Sequence, residues 1–245
     1  MRRIFYKGII EDTIEITGSD AHHLAHVMRG KVGDEITVAD DEGTVALMEM
    51  AAFTKEAVTL KLIEKLAADT ESFLDITLAQ CILKGDKMDF VVQKAVELGV
   101  KKIIPLMSQN TVARYEGKKV EQKRQRWQKI ADEAAKQCGR TKLIEVAEVT
   151  PLEKFLQPAP ENLVFCYENE EEILVKDVLS SIDAKKVTAL IGAEGGFSLA
   201  EAEAIINSGG RSVTLGKRIL RAETAAVAAM TIIQYELGDL GGNIR

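Results

Sequence analysis

Ile191-Gly192-Ala193-Glu194-Gly195-Gly196-Phe197-Ser198 closes one hydrophobic run and opens a helical one, and Leu215-Gly216-Lys217-Arg218-Ile219-Leu220-Arg221-Ala222-Glu223-Thr224-Ala225 does the same a helix-length later. Glycine tolerates positive φ and lets main chain approach a ligand closely, so each stretch reads as a strand-to-helix turn. Ser198 is placed to cap the following helix, with Glu201 three residues on completing a capping box. No Gly-Lys-Ser/Thr follows the first turn, and its spacing does not fit a dinucleotide fingerprint, which disfavours a phosphate-rich nucleotide. In the second stretch Arg218, Arg221 and Glu223 fall within six residues, ahead of a small-residue helix. A salt-bridged helix entrance accounts for Arg221 and Glu223 as well as chemistry does. Two such turns close in sequence point to one site built from backbone, with charged side chains at its rim.

Outward from these turns, the chain from about Phe73 alternates strands and helices. Strands are expected at Leu74–Leu83, Lys102–Leu106, Leu143–Val149, Asn162–Tyr167, Val187–Gly192 and Ser212–Leu215. Helices are expected at Lys87–Leu98, Lys118–Gln137, Ser198–Asn207 and Ala222–Leu237, several stopped by glycine. This alternation predicts a parallel sheet covered on both faces, with ligands at the carboxyl ends of its strands. Both glycine-bearing turns fall there. The apolar stripes of Lys87–Leu98 and Ala222–Leu237 read as core or as a dimer face.

The region before it has another rhythm. Short β-like runs at Arg3–Tyr6, Thr13–Thr17, Glu35–Ala39, Thr44–Met50 and Ala57–Lys65 are separated by turn signals, the spacing of a small barrel or sandwich. One helix interrupts, capped at Ser19 or Asp20 and ending near Gly30. The expected division is residues 1–70 and residues 71–245. His22 and His26 stand at i and i+4, a spacing able to hold a metal, but no cysteine is near and the local acids bracket the helix, so no metal is expected.

Composition sets the frame. A 245-residue chain with 46% hydrophobic and 29% charged residues is an ordinary globular sequence with room for two domains. Cys81, Cys138 and Cys166 are odd in number and widely spaced, which argues for free thiols in a reducing compartment. Nothing resembles a signal peptide or an apolar run of membrane-spanning length, so a cytoplasmic location and no membrane partner are expected. The net charge of −6 hides local basic clusters, the densest being Lys118, Lys119, Lys123, Arg124, Arg126 and Lys129. Any one such cluster reads first as a solvated helix face, and several of them on an acidic chain shift the balance toward a local anionic contact.

The ordered set of segments resembles the SPOUT superfamily of knotted methyltransferases and, within it, the RsmE family, which methylates N3 of a uridine in 16S ribosomal RNA. The carriers are Gln93-Lys94-Ala95-Val96-Glu97-Leu98-Gly99, Ile104-Pro105-Leu106 with Arg114, Gln137-Cys138-Gly139-Arg140, the two glycine-bearing turns, and Phe5 with His23 through Arg29. One departure is Ala193, where this family usually has proline; the change frees φ and adds an N–H.

The resemblance implies a C-terminal SPOUT domain with a parallel sheet and a deep trefoil knot, behind an N-terminal PUA-like β-barrel that grips RNA. It implies S-adenosyl-L-methionine as cofactor, a homodimer, and 16S rRNA or the small ribosomal subunit as partner. The first turn would contribute Leu190, Ile191, Gly192, Glu194, Gly195 and Gly196 to the cofactor, and the second Leu215, Gly216, Ile219, Leu220, Arg221 and Thr224. Arg221, Glu223 and Arg114 are the catalytic candidates, because uridine N3 must lose a proton and its anion needs stabilising. Arg2, Arg3, Arg29, Arg114 and Arg140 are the RNA-binding candidates. A 2′-O-ribose methyltransferase of the same superfamily and a non-catalytic RNA-binding dimer are the competing readings; cofactor binding would separate the second from an enzyme.

Overall fold

The computed structural model describes residues 3–67, 70–112, 117–183 and 185–241. Arg2, expected on RNA, and Arg114, expected in both catalysis and RNA binding, lie outside the described residues. Contacts divide the chain into two units, Met1–Glu71 with Ala135–Leu143, and Ser72–Ala134 with Ile144–Arg245.

The first unit holds β1 (Arg3–Tyr6), β2 (Thr13–Thr17), α1 (Gly18–His22), β3 (Glu35–Asp40), β4 (Val45–Phe53) and β5 (Ala57–Leu66). The strands form one sheet in the order β1-β3-β4-β5-β2, antiparallel except where β1 joins β3. Alternation in β2 buries Ile14 and Ile16 and exposes Thr13, Glu15 and Thr17, the period-two signature of a half-buried strand. Their core partners include Leu24, Val38, Met48 and Leu60. Register shifts between β4 and β5 at Leu47/Met48 and Met50/Ala52 bend the strands and curl the sheet.

The helix expected to run to Gly30 is instead the short α1 followed by a π-helical turn at His23–Val27. The apolar spacing suits both windings, so pattern alone does not separate them. Asp20 does not cap it: its carboxylate accepts from Lys136 Nζ at 2.8 Å, and Thr17 occupies the N-cap without a side-chain bond.

Two of the RNA-binding candidates, Arg140 and Arg3, also make bonds within the first unit. Arg140 is only 4% exposed, and its guanidinium is committed to the Glu71 carboxylate, which also accepts from the Thr141 amide at 3.0 Å. Arg3 donates to the backbone carbonyls of Gly139 and Arg140. Both side chains tie residues 135–143 to the rest of the first unit. Arg29 is exposed, with a left-handed φ of 55°.

The second unit is built from β6 (Asp75–Cys81), α2 (Lys87–Glu97), β7 (Lys102–Met107), most of α3 (Lys118–Cys138), β8 (Glu145–Val146), β9 (Thr150–Pro151), α4 (Leu152–Phe155), β10 (Leu163–Cys166), α5 (Val175–Ser180), β11 (Lys186–Ile191), α6 (Leu199–Asn207), β12 (Arg211–Val213) and α7 (Ala222–Leu237). All of its strand pairings among the described residues are parallel, in the order β12-β10-β11-β6-β7-β8, with β9 also on β7. β11 lies buried between β10 and β6, and its burial from Val187 to Ile191 is continuous, as a strand covered on both faces requires. α7 packs against α2, α5, β11 and β6.

The strand expected over Leu143–Val149 is split into β8 and β9. β8 pairs with Lys102 and Ile103, β9 with Leu106 and Met107, and the register advances by one residue between them. The one extra residue breaks the ladder. In the basic cluster of α3, Arg124 is held by Glu121 at 2.7 Å and Arg126 by Asp89, so both of these cations are already paired with acids.

Candidate active site

Three successive strands deliver the site. β10, β11 and β12 end side by side, and the segments leaving their carboxyl ends line a cavity of about 1000 Å³. Parallel strands whose connections leave at one end open a crevice there, which is where such sheets bind ligands.

The first wall is the turn after β11. The Gly196 amide donates to the Ala193 carbonyl at 3.0 Å, and Asn110 Nδ2 donates to the Gly195 carbonyl at 2.8 Å. Phe197 then anchors the turn in the core, edge-on to the fully buried Phe165 at 6.0 Å. The capping box of Ser198 and Glu201 is present, and starts α6 as expected. Ala193 is buried in the same apolar cluster as Phe197, and its carbonyl closes the turn without help from a proline ring.

Gly196 is the position where glycine is required. Its φ is 62°, and a Cβ there would lie 1.7 Å from Glu168 Oε1. The bare Cα leaves room for the Glu168 carboxylate at the cavity wall.

The second wall follows β12. The Thr214 hydroxyl accepts from the Gly216 amide at 3.2 Å, and Arg221 takes the N-cap position of α7 with extended backbone. Residues Gly216–Ile219 are exposed, and Ile219 is 85% so.

A third element joins the two. Lys87, the first residue of α2, lines the cavity with its ammonium 3.1 Å from Glu194 Oε1 and 3.7 Å from Glu223 Oε2. The Lys84 amide also donates to Glu194 Oε1, at 3.1 Å. Burial alone would push the Glu194 carboxyl up, but the Lys84 amide, its own amide and the Lys87 ammonium together hold it below the usual carboxylate range. Glu223 Oε2 is buried and accepts no hydrogen bond among the described residues. Beneath the first turn Gln80 Nε2 donates to the Gly192 carbonyl at 3.2 Å, while its own Oε1 is buried and accepts no hydrogen bond among the described residues. Burial pushes the Cys166 thiol in the cavity wall up to about 12, which disfavours its thiolate form.

Of the expected cofactor contacts, Ile191, Gly192, Glu194, Gly195 and Gly196 line the cavity from the first turn, and Leu215, Gly216, Ile219, Leu220 and Arg221 from the second. Leu190 does not line it but sits fully buried in the core, and Thr224 is exposed and likewise outside the lining. Glu223 meets the site through Lys87. Lys87 and Glu168 went unnoticed in the sequence. A lysine at the first position of a helix opposes the helix dipole, and that mismatch was the available signal. For Glu168 it was its place just past the end of a buried strand.

Comparison with known proteins shows the family. The RNA methyltransferase domain family matches residues 70–234, and the RNA methyltransferase PUA domain matches residues 16–63. The ribosomal RNA small subunit methyltransferase E of Bacillus subtilis is 34% identical over 238 residues, 94% of this chain and 93% of that protein. The chain belongs to the small subunit methyltransferase E family. Its counterpart from Buchnera aphidicola (subspecies Schizaphis graminum) is 32% identical over 97% of both chains. The crystal structure of the Neisseria gonorrhoeae enzyme bound to S-adenosyl methionine has 30% identity and a TM-score of 0.88, covering 98% of this chain and 99% of that one.

The cavity fits that cofactor. Its volume lies at the upper end of the roughly 300–1000 Å³ usual for small-molecule pockets. Two glycine-bearing turns offer main chain, and the carboxylates of Glu168 and Glu194 on the lining suit a ligand that carries positive charge.

Proposed function

We propose that this chain is an S-adenosyl-L-methionine-dependent methyltransferase acting on N3 of a uridine in the 16S rRNA of the small ribosomal subunit. The supporting observation is the cavity formed by both glycine-bearing turns at the carboxyl ends of β10, β11 and β12, in a chain of this family. The cofactor supplies a methyl group activated on a sulfonium. Ile191–Gly196 and Leu215–Arg221 hold it.

The chain's own chemistry concerns the base. Uridine N3 carries a proton and is a poor nucleophile until that proton leaves, so the site must accept the proton and stabilise the charge that passes to the uracil oxygens. Arg221, on the cavity wall, is assigned to those oxygens, with Arg114 as the second cation. Glu223 is assigned to orient Arg221 or to take the N3 proton. As the N3–methyl bond forms, the pair of the sulfur–methyl bond stays on sulfur and a neutral thioether leaves.

Arg2 and Arg29 are proposed as RNA contacts of the PUA-like unit. The reading further includes a trefoil knot around the two turns, a homodimer and a cytoplasmic location, where small-subunit rRNA is found. Among the described residues no helix is long and apolar enough to cross a membrane.

The test is to incubate the protein and labelled S-adenosylmethionine with unmodified 16S rRNA, free and in assembled small subunits, and identify the product nucleoside by mass spectrometry. The expected product is 3-methyluridine. A 2′-O-methylated nucleoside, or no product despite cofactor binding, overturns the assignment.

A further inference from the structure

The ammonium of Lys87 stands between two carboxylates that come from the two cofactor-binding turns, Glu194 at 3.1 Å and Glu223 at 3.7 Å. The Glu223 oxygen it faces is buried and accepts no hydrogen bond among the described residues. At 3.7 Å the lysine compensates that charge electrostatically without bonding to it. A buried carboxylate left in this condition has attraction to spare for a second cation.

We propose that Lys87 is a specificity-determining residue, one that sets how strongly this cavity distinguishes the cationic methyl donor from the neutral demethylated product. The inference rests on the reading that the cavity takes S-adenosyl ligands. Donor and product share the adenosyl and amino-acid groups and differ by one methyl and one unit of charge on sulfur. Whatever affects packing or loop order therefore acts on both, whereas the charge of the cavity wall acts on the donor alone. With Lys87 present, Glu194 on the wall and Glu223 beside it are partly offset, which limits the hold on the donor relative to the product.

The sign of the effect does not depend on where in the cavity the sulfur sits. Removing a positive charge from the wall makes the field more negative throughout, and any cation gains relative to its neutral analogue. A unit charge acting over about 8 Å at an effective dielectric of about 40 changes cation binding roughly fivefold.

The experiment is calorimetric titration of the full-length protein with S-adenosylmethionine and, separately, with S-adenosylhomocysteine. In Lys87→Met the ratio of product to donor dissociation constants should rise about fivefold over wild type. In Lys87→Arg, which keeps the charge, it should stay within about twofold. Glu223→Gln should move the ratio the opposite way, and it keeps the test decisive if Lys87→Met fails to fold. Equal weakening of both ligands in Lys87→Met, with the ratio unchanged, reduces Lys87 to a brace between the turns and overturns the proposal. If wild type binds neither ligand, the reading of the cavity itself falls, and the proposal with it.

Discussion

The two units differ in how completely they satisfy their buried polar groups. In the first, Asp40 is 2% exposed and its carboxylate accepts from the amides of Ile10, Glu42 and Thr44 at 3.1, 3.0 and 2.8 Å. Arg140 is nearly as buried and held by Glu71. In the second, Gln80 Oε1 and Glu223 Oε2 are buried without a hydrogen bond among the described residues, and both belong to residues that touch the turns around the cavity. Native structures leave few such groups unsatisfied, because each costs about 1–3 kcal/mol. The first unit spends its polar groups on its own fold; the second holds some in reserve where a ligand is expected.

The comparison breaks first at Glu71. Its replacement by alanine strips a buried guanidinium of its carboxylate and should cost about 3–5 kcal/mol, read as a lower denaturation midpoint. The same residue carries a pH dependence. Burial pushes its carboxyl up, but Arg140 and the Thr141 and Lys142 amides more than offset this and leave it below its ordinary 4.5. Its contribution is therefore complete above pH 4.5 and lost as pH falls through the lower folded value. Stability measured down this range should drop in wild type and flatten in Glu71→Gln.

On the site's side, Arg221→Ala should reduce turnover about 100- to 1000-fold at saturating cofactor, the range for removing one group that stabilises developing negative charge. Unchanged turnover would take Arg221 out of the chemistry. Gly196→Ala comes next: it puts a side chain in a left-handed conformation at about 1–2 kcal/mol and displaces the Glu168 carboxylate. Cofactor affinity by calorimetry should fall about tenfold, in line with that cost. Ser198→Ala is the mildest, removing the α6 cap for about 1 kcal/mol of stability.

Much of this was legible because local rules and tertiary structure agreed. β1, β2 and α7 have the bounds their patterns predict, and α3 overruns its expected end by one residue. Where pattern failed, a longer-range cause operated. Asp20 reads as a cap until Lys136 takes its carboxylate, and Leu143–Val149 reads as one strand until the register on β7 advances. α4 and α5, four and six residues long, are too short for a helical period to register. At the cavity the glycine turns could be read directly, since their chemistry is local. Lys87 could not, because it meets its carboxylates only once residues more than a hundred positions away have folded beside it.

The closure of the first unit by residues 135–143 bears on how the chain is made. Its five strands are complete by Leu66, yet the partner of Glu71 is not synthesised until Arg140. A chain growing from its N-terminus tends to fold unit by unit as each emerges. Here the bonds that Glu71, Asp20 and Arg3 make to residues 136–140 must wait while β6, α2, β7 and α3 are added. The closing contacts of the N-terminal unit can therefore form only once Arg140, and with it residues 72–134 of the second unit, has been made.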